Sequence, residues 1–115
     1  MPSAVSDSSV LIHLGAIGRL EFLAAAFKEV RVPGAVWKEV VTQGRSRSVV
    51  EAIQTAVRAG WLQVSEPSNK VLVQNLRQAL HEGEAEAICL AVETTPDVLL
   101  MDESDGREVA RRPAA

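Results

Sequence analysis

Val98-Leu99-Leu100-Met101-Asp102 is four apolar residues closed by an acid, the pattern of a strand buried in a parallel sheet and ending at its carboxyl edge. Near the other end of the chain, Ala4-Val5-Ser6-Asp7 repeats the theme in a short run that also stops at Asp. Residues 29–32 and 61–65 read as two more strands, and helical patterns fill every gap between them. Residues 8–27 predict two short helices broken near Gly15 and Gly18, with Leu20, Leu23 and Phe27 at helical spacing. Pro33 suits the first turn of a helix carrying Val36, Val40 and Val41. A helix through Val49, Ile53, Ala56 and Val57 should end at Gly60, another is marked by Leu72, Leu76, Ala79 and Leu80, and a last one covers residues 84–93. Strands alternating with helices define βαβ units, so the expected class is α/β with a parallel sheet of about four strands in one domain spanning residues 1–115.

Composition narrows the function. Hydrophobic residues make up 47% of the chain but aromatics only 3%, so Val, Leu, Ile and Ala must build the core. Cys89 is the single cysteine, which excludes an intrachain disulfide and a cysteine-rich zinc site, and its expected place is the interior. With no basic-then-apolar start and no apolar stretch long enough to span a bilayer, the expectation is a cytoplasmic protein without a membrane partner. The net charge of −3 carries no overall basic signal for nucleic acid, although bound divalent cations would offset it.

In open parallel sheets ligands bind beyond the carboxyl ends of the strands, and that is where Asp7 and Asp102 fall. Each also has an ordinary role open to it: Asp7 as the N-cap of the helix beginning Ser8-Ser9, Asp102 as a residue of the turn Glu103-Ser104-Asp105-Gly106. If strands one and four are neighbours, the two carboxylates come within a few ångströms. Advancing ~100° per residue places Glu84 near the middle of the apolar arc of its helix, whereas Glu86 and Glu93 share the polar stripe. A carboxylate on the core side needs compensation, from a metal or from the positive start of its helix. Glu39, beside Lys38, Thr42 and Gln43, fits a solvated face as well as a site.

The order Val5-Ser6-Asp7-Ser8-Ser9, then Val32-Pro33-Gly34-Ala35-Val36-Trp37-Lys38-Glu39-Val40, then Gly83-Glu84-Ala85-Glu86-Ala87-Ile88, then Leu100-Met101-Asp102-Glu103 resembles the PIN-domain ribonucleases of toxin–antitoxin pairs. The similarity runs from residue 4 to about residue 112. It implies a three-layer, Rossmann-like fold with strand order 3-2-1-4-5 and RNA cleavage dependent on Mg²⁺ or Mn²⁺. By position, Asp7, Glu39, Glu84 and Asp102 would be the catalytic, metal-binding quartet, with Ser8, Glu86 and Asp105 as secondary residues. Hard cations prefer oxygen ligands, polarise phosphates and lower the pKa of water, so this chemistry needs no His, Ser or Cys nucleophile.

The resemblance also implies an RNA substrate and a protein antitoxin as partners. Arg45, Arg47 and Arg107 are weak candidates for RNA phosphate contacts, with Arg111 and Arg112 beside them, and a solvated surface is their alternative. Trp37 and Trp61 suit the core or a homodimer contact, and His13 and His81 suit packing or solvent. Where relatives continue into a fifth strand and closing helix, this sequence has Arg111-Arg112-Pro113-Ala114-Ala115, so a missing fifth strand, an edge at strand four and a shortened, inactive interaction module form the rival expectation. A haloacid-type phosphatase is excluded because Ser9 stands where the second Asp belongs, and a phospho-accepting receiver because Lys70 is the last lysine.

Overall fold

The computed structural model of the chain describes residues 1–102. Four strands, β1 (Ser3–Ser6), β2 (Glu29–Val32), β3 (Leu62–Val64) and β4 (Val98–Leu100), form one sheet in the order β3-β2-β1-β4. All three pairings are parallel, with Val5 opposite Arg31 on one side and Leu99 on the other, and Val32 opposite Val64. Strands one and four are therefore neighbours. The connecting helices are α1 (Ser8–Ala16), α2 (Glu21–Ala26), α3 (Gly34–Trp37), which continues as a π-helical turn over Lys38–Thr42, α4 (Arg47–Ala59), α5 (Lys70–Leu76) and α6 (Glu82–Thr94).

The two faces of the sheet follow from alternation along β1. Ala4 joins the larger cluster with Leu11, Val30, Val32, Val36, Val40, Ile53 and Leu62, which fills the layer under α1, α3 and α4. Val5 points the other way and packs with Ala87 and Leu90 of α6, behind which Val73 of α5 meets Ala85 and Cys89. The result is the expected three-layer arrangement. Trp37 and Trp61 are half-buried against the larger cluster, as core residues.

Some boundaries differ from the sequence reading, each for a local reason. Gly15 does not break α1: it lies inside the helix, where its missing side chain lets the Val49 methyl groups close in, and the break comes at Gly18, whose φ of +68° suits glycine. Strand β4 is apolar but not buried throughout, because Val98 and Leu99 stay 37% and 39% exposed on a strand hydrogen-bonded to β1 on one side. Helix α5 ends at Leu76, although Leu80 keeps the helical spacing through the turn that follows and packs on the same small cluster.

The start of α5 is held by an acid from another helix. Both Glu93 carboxylate oxygens accept the Ser68 N–H at 2.8 and 3.0 Å, and one accepts the Asn69 N–H at 2.7 Å. These backbone bonds lower the Glu93 pKa, so the stabilisation is complete above the ordinary carboxylate range and is lost as pH falls through the depressed value. Glu93→Gln is accordingly expected to melt lower than the parent at pH 7, with the gap closing in acid. Thermal melts of both chains between pH 7 and pH 3 check this.

Candidate active site at the carboxyl edge of the sheet

Asp7 follows β1 directly and is only 1% exposed. Its Oδ1 accepts the Val10 N–H at 3.1 Å, which makes it the N-cap of α1, while Oδ2 accepts the Asp102 N–H at 3.0 Å. The capping role and the site role coincide in one side chain. A carboxylate this deeply placed depends on such donors and on the positive end of the helix behind it. Asp102 lies two residues past β4 and is partly exposed, with its Oδ2 4.0 Å from His13 Nδ1. The ends of β1 and β4 are thus joined through Asp7.

Glu84 and Glu39 enter from the helices. Glu84 is 9% exposed on the packed face of α6, where helical spacing placed it, and its Oε1 accepts the His81 N–H at 3.0 Å. That bond satisfies an N-terminal donor of α6, the ordinary alternative for this residue. Glu39 sits in the π-helical turn and is exposed, but its position is defined: Oε2 accepts the Ser8 hydroxyl at 2.8 Å. Its Oε1 lies so near Gly83 that a Cβ there would meet it at 3.0 Å. Ser8, Ser9, Glu39, His81 and Glu84 line one cavity of about 370 Å³.

The secondary residues divide. Ser8 belongs to the cavity and anchors Glu39. Glu86 Oε1 accepts the Ala35 N–H at 3.1 Å and so ties α6 to the start of α3. Burial pushes the Glu86 carboxyl above its usual range, and the nearby Glu66 and Glu82 add to this against the Ala35 bond. Arg45 is exposed in the loop before α4, and Arg47 pairs with Glu51 at 3.1 Å one helical turn on. Asp105, Arg107, Arg111 and Arg112 lie outside the described residues, as does the segment on which the expectation of a missing fifth strand rests.

Three neighbours were not placed at the site by the sequence reading, which gave His13 and His81 to packing or solvent and passed over Glu66. His81 lines the cavity, its role hidden because it precedes the helix pattern. His13 is exposed and faces Asp102; its two-residue offset from fully buried Leu11, ~200° around the helix, was the available signal. The Glu66 carboxylate fills the space where a side chain at Gly34 would start, a contact no spacing rule reveals. Cys89 is fully buried, and burial with the Glu93 contact raises its thiol pKa.

In kind, the donors suit a hard divalent cation, since all four candidate acids offer carboxylate oxygen. In spacing they are not drawn together: among the described residues no three Asp, Glu, His or Cys side chains form a group able to hold a metal ion as they stand. No helix among the described residues is long and apolar enough to cross a membrane.

A parallel α/β sheet ordered 3-2-1-4 is the arrangement of a PIN-like fold. A family model described as a PIN domain matches residues 3–114, and the chain belongs to the PIN-domain family. PIN domains are in general nucleases that use divalent metals. No curated protein and no solved structure matches the chain.

Proposed function

We propose that this chain is a metal-dependent endoribonuclease, with Asp7, Glu39, Glu84 and Asp102 holding Mg²⁺ or Mn²⁺. The observation that carries the reading is the 3.0 Å bond from the Asp102 N–H to the Asp7 carboxylate, which sets acids from neighbouring strands side by side next to the cavity of Ser8, Glu39 and Glu84. When bound, the cation supplies charge for the scissile phosphate and acidifies an attacking water. The protein's part is placement. Asp7 is fixed by two backbone donors, Ser8 holds Glu39 toward α6, and the first turn of α6 holds Glu84. Local bonds already restrain these side chains, so little conformational freedom is left to lose when a phosphate arrives.

The test is cleavage of single-stranded and structured RNA with Mg²⁺ or Mn²⁺ by the parent chain and by Asp102→Asn. Equal rates for the two would remove the reading. A second reading, a noncatalytic interaction module that keeps the fold and the acids, draws on the absence of a gathered three-donor group among the described residues. Calorimetric titration separates the two: a folded chain that binds neither Mg²⁺ nor Mn²⁺ defeats the nuclease and favours the module.

The finer assignment, a cytoplasmic toxin whose site is covered by a protein antitoxin, is supported by the resemblance of the Gly83 to Ile88 stretch and of the four acids. Co-purification with the product of an adjacent reading frame, and loss of RNA cleavage in that complex, would support it.

Gly83→Ala offers a check on Glu39. Alanine favours a helix over glycine, but its Cβ would press on Glu39 Oε1 and shift that carboxylate. The expected outcome is several-fold slower cleavage with no loss of melting temperature, read by RNA cleavage and thermal melts on the same preparation.

A further inference from the structure

A groove of about 300 Å³ runs alongside the acid cavity and shares Glu39 with it. Its floor is Val40 and Val49, 1% and 5% exposed, and Ile12 at its rim is 37% exposed, an aliphatic side chain left open to solvent beside the site. Its polar lining is Gln43, Arg45 and Ser46, the last of which caps the 13-residue helix α4. Among the described residues Arg45 has no salt bridge of the kind that ties Arg47 to Glu51, and it stands at the positive end of α4. An apolar floor, an amide with both donor and acceptor, and a cation in the lining form a set suited to a flat heterocycle attached to a phosphate. At this size the groove holds one such ring, near the lower end of small-molecule sites.

Resting on the ribonuclease reading above, we propose that this groove takes one unpaired base of single-stranded RNA next to the scissile phosphate. Ile12 contacts the ring above the buried Val40 and Val49, Gln43 reads its hydrogen-bonding edge, and Arg45 holds the adjoining phosphate. Continuity through Glu39 supplies the geometry: a strand with one phosphate at the acids passes its neighbouring nucleotide into this groove. A base inside a duplex is stacked and paired and cannot turn into it, so the groove selects for single strands.

The probes are fluorescein-labelled oligoribonucleotides, the four homopolymers and one matched duplex, followed by anisotropy in Mg²⁺ buffer. They are titrated with the Asp7→Asn chain, so that cleavage does not interfere. Single strands are expected to bind more tightly than the duplex. Adding Ile12→Asp or Gln43→Ala should weaken single-strand binding by roughly tenfold, and Gln43→Ala should narrow the spread among the four bases. Adding Arg45→Ala should weaken all four alike and reduce the salt dependence by about one charge.

Unchanged single-strand affinity in both Ile12→Asp and Gln43→Ala, with melting temperatures retained, overturns the proposal, as does a duplex bound as tightly as the single strands. The ribonuclease reading fails separately, by absence of cleavage in the parent chain. Absence of cleavage with the binding pattern intact supports the groove and removes only the nuclease assignment.

Discussion

Asp7→Asn is expected to slow RNA cleavage by about 10²- to 10³-fold, a loss comparable to removing one preorganised charge-stabilising group, while the chain stays folded. Asparagine is the informative replacement because it keeps the cap. Its oxygen can still accept the Val10 N–H, and Asn ranks with Asp as an N-cap residue. What is lost is the second acceptor: an amide NH₂ then faces the Asp102 N–H, exchanging one hydrogen bond worth about 1 kcal/mol for two opposed donors. Relief of a buried charge works in the other direction. The melting temperature should therefore fall by no more than about 10 °C. Cleavage at the parent rate by a folded Asp7→Asn chain would end the metal-nuclease interpretation; a chain that fails to fold is distinguished by its melt.

The largest effect on stability is expected at Ile53. This side chain is fully buried on α4 in the main cluster, between Val49 and Ala56 on the same face. Ile53→Ala removes three carbons from a packed interior and leaves a cavity, for a loss of about 2–5 kcal/mol. For a chain of this size that is a fall on the order of 10 °C or more in melting temperature. The exposed Thr55→Ala, two residues along the same helix, is the control and should change stability by about 0.5 kcal/mol or less. Urea denaturation of the three chains measures both values.

Periodicity disclosed much of this architecture because the relevant residues obey it. The four strands, their alternation with helices and the placement of Glu84 on a packed face all follow from spacing along the chain, and the parallel order 3-2-1-4 agrees with the family resemblance. Gly60 ends α4 in the left-handed conformation that its position before Trp61 suggested. The misses arise where spacing is blind. A π-helical turn at Lys38–Thr42 leaves Val36 and Val40 four residues apart and both buried, as an α-helix would. Exposure of Val98 and Leu99 depends on what lies beside β4, which apolar character alone does not encode.

For the candidate site, sequence identified side chains but not their bonds. Asp7 and Glu84 each had two readings open, and the structure realises the local one: Asp7 caps α1 and Glu84 back-bonds to His81. It realises the shared edge as well. Glu86, set by spacing on the polar stripe rather than the apolar arc, lies two residues along α6 from Glu84 and accepts the Ala35 N–H, a bond that spacing does not reveal.

The bond between Asp102 and Asp7 spans 95 positions. A growing polypeptide emerges from the ribosome with Asp7 early and Asp102 only after β1, β2, β3 and α6 have been made. Until that distant partner arrives, an unfinished copy lacks one of the four candidate acids, and under the proposed ribonuclease function partial chains would be unable to cut.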